Sequence, residues 1–171
     1  MADKTEAERR RTGYDTTVER ISGRELVVTR RFRGPARLVF EAWTDPALMQ
    51  RWWMPASFGA TFLSCEMDVR TGGRYRFEFG HPASEQPIAF FGRYLEVLAP
   101  LRLVWTNEEG GEGSVTTVTF EDHGAETRVV VHDLYPSTEA LDAAIAEGST
   151  GAFPEQFEGL DALLAVQQAG M

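Results

Sequence analysis

The chain has 171 residues, 43% of them apolar and 11% aromatic, a composition that predicts one globular domain with a sizeable core. Its 26 acidic and 17 basic residues give a formal net charge of −9, which excludes general binding to nucleic-acid phosphates. A single cysteine, Cys65, excludes an internal disulfide framework. Because no signal-peptide-like segment and no apolar run of about 20 residues is present, we expect a cytoplasmic protein with no membrane partner.

The first 22 residues are mostly charged and polar and show no alternation of apolar and polar positions. We interpret residues 1–22 as a flexible N-terminal extension, partly helical around 7–11, and residues 23–171 as the single domain. The basic triplet from Arg9 to Arg11 is a candidate docking patch, but a solvated face is the favoured interpretation.

One strand and two short helices are predicted next. Residues 25–32, ELVVTRRF, are rich in β-branched and apolar side chains and lie between two glycines, as expected of a strand. Pro35 suits the first turn of a helix, and Asp45 can cap a second helix that starts at Pro46 and ends before Pro55. These helices carry three of the four tryptophans, which places a large apolar surface at one corner of the domain.

Strand and turn signals continue over the range from Phe62 to Leu134. The clearest strand is GGRYRFEF, residues 72–79, in which Tyr75, Phe77 and Phe79 alternate with charged residues. Consecutive strands joined by short, glycine-containing loops predict an antiparallel meander.

The C-terminal segment changes to a helical period. Ser137 can cap a helix that ends near Glu147, and a longer amphipathic helix with one apolar stripe follows. The stripe consists of Phe153, Phe157, Leu160 and Leu164. The order of elements therefore predicts an α+β fold in which a long terminal helix packs across a curved sheet.

Three segments of the chain resemble a known family. They are WTDPALMQRWWMP, VRTGGRYRFEF and FGRYLEVLAPLRLVWT. Together they are similar to the activator-of-heat-shock-protein-90-ATPase-like proteins of the START / Bet v 1-like (SRPBCC) superfamily, and the resemblance covers residues 24–168.

The resemblance implies a helix-grip fold. In this fold a curved seven-stranded antiparallel sheet wraps around a long C-terminal helix, two short helices follow the first strand, and a cavity lies between sheet and helix. Members of the family often carry a Gly-Trp pair at the entry to the last helix, whereas this chain has Gly151, Ala152 and then Phe153. Because of this departure, the resemblance does not predict where the entrance of the cavity lies.

The side chains that we predict to bind a ligand in such a cavity are aromatic, apart from one histidine. They are Trp43, Trp52, Trp53, Phe77, Phe79, Tyr94, Trp105, His132, Phe153 and Phe157. Aromatic stripes at strand or helix spacing usually form a core, and in a helix-grip fold the same side chains also line the cavity. The sequence leaves both roles open for the tryptophans.

Polar candidates for a site are few. His132 lies in the apolar run VVVHDL, so its ring points either inward or outward, and a structural role is favoured. The three histidines and one cysteine do not approach metal-ligand spacing, so we predict neither a metal nor a cofactor. No Gly-x-Ser-x-Gly elbow or Cys/His pair is present, and no catalytic residue is assigned.

Three functions are compatible with these features. The favoured one is binding of a small hydrophobic or aromatic ligand in the cavity between the sheet and the C-terminal helix. The resemblance also implies a partner role with a heat-shock ATPase chaperone. A cyclase- or hydrolase-type enzyme that uses the same cavity is the third, by analogy of fold alone. We expect a monomer or a homodimer.

Overall fold

The computed structural model describes residues 14–109 and 113–169. Eight strands are present in these ranges: β1 (Thr17–Arg20), β2 (Glu25–Phe32), β3 (Thr61–Met67), β4 (Arg74–His81), β5 (Ser84–Leu98), β6 (Arg102–Thr106), β7 (Val115–Asp122) and β8 (Thr127–Leu134). They form one sheet in the spatial order β1-β2-β8-β7-β6-β5-β4-β3, and all neighbouring pairs are antiparallel. The predicted α+β helix-grip architecture is confirmed.

The expected count of seven strands is wrong by one, because β1 is an additional edge strand. It pairs with β2 from Thr17 opposite Thr29 to Arg20 opposite Leu26. All of its side chains are exposed, so no apolar alternation marks it in the sequence. The strand lies inside the segment assigned to the N-terminal extension. The basic triplet and the helix expected around 7–11 lie outside the described residues.

Four α-helices accompany the sheet in the described ranges: α1 (Ala36–Thr44), α2 (Pro46–Trp52), α3 (Thr138–Ala146) and α4 (Phe153–Ala169). Short 3-10 turns occupy Ala56–Phe58 and Ser149–Ala152. None of the four helices is long and apolar enough to cross a membrane.

Both predicted helix caps are confirmed. The Asp45 side chain accepts a 2.9 Å hydrogen bond from the Ala47 amide at the start of α2. Ser137 Oγ accepts a 3.1 Å hydrogen bond from the Ala140 amide at the start of α3. Each cap gives an acceptor to one of the amides that the first helical turn leaves without an intrahelical partner.

Strands distant in the sequence hold the sheet together. β2 pairs with β8 along its whole length, from Glu25 opposite Leu134 to Phe32 opposite Thr127. At the other end of the sheet, β5 pairs with β4 through residues 84–93 and with β6 through residues 94–98. A single long strand therefore joins the two parts of the sheet.

The terminal helix α4 packs on the buried face of the sheet. Phe157 is fully buried, and its ring meets the Phe32 ring edge-on at 5.4 Å. On the next inward position of β2, the guanidinium of Arg30 donates a 2.6 Å hydrogen bond to the Phe157 carbonyl. Arg30 is only 7% exposed, so a buried cation ties the helix to the sheet.

Candidate ligand-binding cavity

A cavity of about 490 Å³ lies between the sheet and the helices. Strands β4 to β8 supply one wall, and the other wall is supplied by side chains from all four helices and by the turn that ends at Phe58. Its volume falls within the range of about 300–1,000 Å³ that is usual for small-molecule pockets.

Six of the predicted ligand-binding residues line the cavity, namely Trp43, Trp53, Phe77, Tyr94, Trp105 and Phe153. Three others belong to the core behind it: Trp52, Phe79 and Phe157 are each at most 2% exposed and do not line it. The tenth residue, His132, lies elsewhere. That the six lining aromatics bind a ligand stays a prediction.

The tryptophans differ in role: some line the cavity, and one belongs only to the core. Trp53 lies parallel to Phe79 at 5.7 Å and meets Phe77 and Phe90 edge-on at 5.3 and 5.4 Å, so it packs on the sheet while lining the cavity. Trp52 is buried, and its indole N–H donates a 2.9 Å hydrogen bond to the Ala42 carbonyl, which joins α2 to α1.

Trp43 combines burial with a position in the cavity wall. Trp43 is 4% exposed, and the centroid of its ring lies 6.0 Å from that of Trp105, which also lines the cavity. The Nε1 atom of Trp43 is buried and has no hydrogen-bond acceptor among the described residues. Buried indole N–H groups normally find a partner, so this donor is an exception.

His132 lies on the sheet face opposite the cavity. Along β8 the buried residues Val129, Val131 and Asp133 alternate with partly exposed ones, and His132 belongs to the second set. Its Nε2 lies 2.9 Å from a carboxylate oxygen of Glu25, and that hydrogen bond is the main reason why the pKa of Glu25 is lowered. The histidine therefore has a structural partner outside the cavity.

Polar side chains occupy one end of the cavity and centre on Asn107. Its carbonyl oxygen accepts a 3.3 Å hydrogen bond from the Trp105 indole N–H. The Tyr75 hydroxyl lies 3.3 Å from the same oxygen and donates its proton to the Thr106 carbonyl at 2.7 Å. The amide nitrogen of Asn107 donates to Ser114 Oγ at 3.0 Å and to Thr116 Oγ1 at 2.9 Å. Asn107 thereby joins the Trp105 ring and two hydroxyl groups of the wall in one network.

The same network ends at a buried carboxyl group. Thr116 Oγ1 donates a 2.5 Å hydrogen bond to Asp133 Oδ1. Asp133 is 8% exposed, and burial raises its pKa to about 6, against the smaller opposing effect of the Thr116 hydrogen bond. Among the described residues, the second carboxyl oxygen makes no side-chain hydrogen bond, although Asp133 lines the cavity.

Contacts between α4 and the segment after α2 close one side of the cavity. The Ser57 amide donates a 3.0 Å hydrogen bond to Glu155 Oε2, and the Ser57 hydroxyl donates to the other oxygen of the same carboxylate. These bonds lower the pKa of Glu155. The Gln156 side-chain amide also donates to the Trp53 carbonyl. Because Trp53, Phe58 and Gln156 all line the cavity, these bonds set the spacing of its wall.

Sequence reasoning missed the polar end of the cavity. Asp133 shares the buried phase of Val129 and Val131, but Val130 is apolar as well, so the sequence of β8 did not show which phase points inward. The signal for Asn107 was weaker, since it lies just after β6 and its role depends on contacts with β4 and β7. Among the described residues, no group of three or more His, Cys, Asp or Glu side chains is placed to hold a metal ion.

An antiparallel sheet that packs around a C-terminal helix, with a cavity between the two, is the helix-grip fold of the START / Bet v 1-like class. Within this class, residues 33–165 match the family described as Activator of Hsp90 ATPase homolog 1-like protein, and the chain belongs to that family. The predicted family is thus confirmed. Among curated proteins, none matched the chain.

Solved structures share the fold at low sequence identity. A protein from Rhodobacter sphaeroides aligns with a TM-score of 0.80 at 22% identity, over 89% of this chain and 99% of its own. A protein from Mycobacterium smegmatis gives 0.75 at 25% identity, over 90% and 99%. An AHSA1-like protein from Aeromonas hydrophila gives 0.65 at 20% identity, over 84% and 94%. These similarities support the fold. They do not identify a ligand, so a ligand is inferred from the residues that line the cavity.

Proposed function

We propose that this protein binds a small, mostly apolar molecule with a flat or aromatic part in the cavity between the sheet and α4. The observation that carries the proposal is a cavity of about 490 Å³ lined mainly by apolar and aromatic side chains from both layers of the fold. Packed protein interiors leave few voids larger than a water molecule, so a cavity of this size is not a product of ordinary core packing.

The division of the aromatics supports the same proposal. A rigid inner layer, formed by Trp52, Phe79 and Phe157, is fully or almost fully buried, while Trp53 and Phe153 are only partly buried. Apolar side chains that line open space lose contacts that a ligand would restore. The binding energy is therefore expected to come from burial of the ligand against the partly buried aromatics.

Neighbouring alanines on α3 provide a test with a matched control. Ala144 lines the cavity, whereas Ala143 is exposed and does not. Calorimetric titration with 2-(2-naphthyl)ethanol should show saturable binding to the native chain. We expect Ala144→Trp to weaken that binding by about tenfold or more, because the new indole fills the space, and Ala143→Trp to leave it within about twofold. Absence of binding to the native chain, or equal effects of the two variants, would contradict the proposal.

The two alternatives make different predictions. A catalytic role for His132 loses its basis, because that side chain lies on the opposite face of the sheet and pairs with Glu25. A partner role with a chaperone ATPase is supported by the description of the family. It predicts that the native chain stimulates ATP hydrolysis by a purified Hsp90-type ATPase and that Ala144→Trp, whose new side chain fills the cavity, stimulates it equally. An unchanged ATPase rate would count against this role.

A further inference from the structure

We infer that the ligand of this cavity carries a positive charge: a protonated amine on a flat, mostly apolar body, with the ammonium group bound at Asp133. The inference rests on the proposed function and narrows its substrate class. It follows from the charges of the cavity wall, the direction of the hydrogen bonds in the polar network, and the placement of aromatic rings beside that network.

The wall of the cavity contains acidic groups and no basic ones. Asp133, Glu109 and Glu147 line it, whereas no Lys, Arg or His is present among the described lining residues. Asp133 is deep, and Glu109 and Glu147 are exposed and therefore lie toward solvent. This distribution attracts cations into the cavity and disfavours an anionic ligand, whose charge would meet no opposite charge in the wall.

One chain of hydrogen bonds in the polar network leads to the carboxyl group. Asn107 donates to Thr116 Oγ1, and the Thr116 hydroxyl in turn donates to Asp133 Oδ1. The amide oxygen of Asn107 already accepts from the Trp105 indole N–H. Asp133 Oδ2 is therefore the acceptor that the network leaves for a ligand, and a charged N–H donor is the strongest partner for a carboxylate.

Aromatic rings lie in the same part of the cavity wall. Trp105 donates to Asn107, which is joined through Thr116 to Asp133, and the Tyr75 hydroxyl lies 3.3 Å from Asn107 Oδ1. Both rings also line the cavity. A cation held near aromatic faces is attracted further by the negative potential of those faces. A carboxylate in the wall of a cavity that aromatic rings also line thus matches an ammonium group better than a neutral hydroxyl or a carboxylate.

Three ligands that share one ring system test this inference: 2-(2-naphthyl)ethylamine, 2-(2-naphthyl)ethanol and 3-(2-naphthyl)propionate. Calorimetry at neutral pH should give an affinity for the amine at least about tenfold higher than for the alcohol, with the propionate weakest. Asp133→Asn keeps the shape of the side chain and removes its charge, so the ratio of the amine and alcohol affinities should fall to near one. Glu147→Gln, at the exposed rim, should reduce that ratio by less.

The outcomes separate this inference from the proposed function. If the alcohol binds and the amine binds no more tightly, or if Asp133→Asn keeps the preference for the amine, the charge assignment is overturned while ligand binding stands. If none of the three compounds binds, both are overturned. The comparison of the three compounds on the native chain decides the question even where the Asp133→Asn variant does not fold.

Discussion

Thr116 Oγ1 lies 2.5 Å from Asp133 Oδ1, and this hydrogen bond joins β7 to β8 inside the cavity wall. The two residues face each other directly in the register of the strands. Burial of the carboxyl group raises the pKa of Asp133 to about 6, so the group gains or loses its charge when the pH changes around that value.

The raised pKa predicts a dependence of stability on pH at this one residue. Between pH 4 and about 6 the folded protein binds more protons at Asp133 than the unfolded chain, so this group's contribution to the free energy of unfolding falls as pH rises. Asp133→Asn removes that effect. From pH 4 to pH 7 the variant should therefore gain about 2–3 kcal/mol relative to the native chain. Urea unfolding of both proteins across this range measures the difference, and parallel curves would contradict the assignment.

The two buried tryptophans of the α1–α2 corner should respond differently to replacement by phenylalanine. Trp52 donates a hydrogen bond to the Ala42 carbonyl near the end of α1, whereas Trp43 has no acceptor among the described residues. Trp52→Phe leaves that carbonyl without its donor, while Trp43→Phe removes an unsatisfied N–H group. We expect Trp52→Phe to cost about 1 kcal/mol more than Trp43→Phe in urea unfolding. Equal losses of unfolding free energy in the two variants would show that the change in side-chain volume, and not the hydrogen bond, determines the cost.

The contact of Ser57 with Glu155 should control local opening at the side of the cavity. Glu155→Ala removes the acceptor of the Ser57 amide, so hydrogen exchange at that amide should become several-fold faster. Glu158→Ala, on the same helix but exposed, is the control and should leave the exchange rate nearly unchanged. Exchange followed by NMR resolves this amide, and similar rates in both variants would contradict the role of the contact.

Gly92 should tolerate no side chain, because β5 passes close to β6 at this residue. A Cβ atom built on Gly92 would lie 1.9 Å from the Thr106 carbonyl oxygen, whereas one on Gly151 meets nothing within 4 Å. Gly92→Ala must therefore separate the two strands, and we expect a loss of more than about 2 kcal/mol. Gly151→Ala should change the unfolding free energy by less than about 0.5 kcal/mol. A thermal unfolding comparison of the two variants tests this difference.

The elements that the sequence predicted well are those whose signals are local. Asp45 and Ser137 precede helices and cap them as expected, because the capping bond involves residues only two or three positions away. The alternation of Tyr75, Phe77 and Phe79 likewise marks one face of β4 without knowledge of its partners, and all three are buried.

The polar end of the cavity depends on register, which the sequence does not contain. In β8 the three consecutive valines are apolar on both faces, so their pattern does not decide whether His132 or Asp133 points inward. The phase follows from pairing with β2, where Val131 lies opposite Val28. Arg30 escaped notice for a related reason: it alternates with Val28 and Phe32, but a charged residue is rarely assigned to a buried face.

The pairing of β2 with β8 has a consequence for biosynthesis. Thr127 Oγ1 donates to the Gly34 carbonyl across 93 residues of sequence, so β2 can pair with β8 only after the residues between them have been synthesised. Until then the apolar side of β2 has neither its neighbouring strand nor the terminal helix over it. Apolar surface that waits for a distant partner makes a nascent chain prone to aggregation, and closure of the long loop between the strands opposes their pairing with an entropic cost.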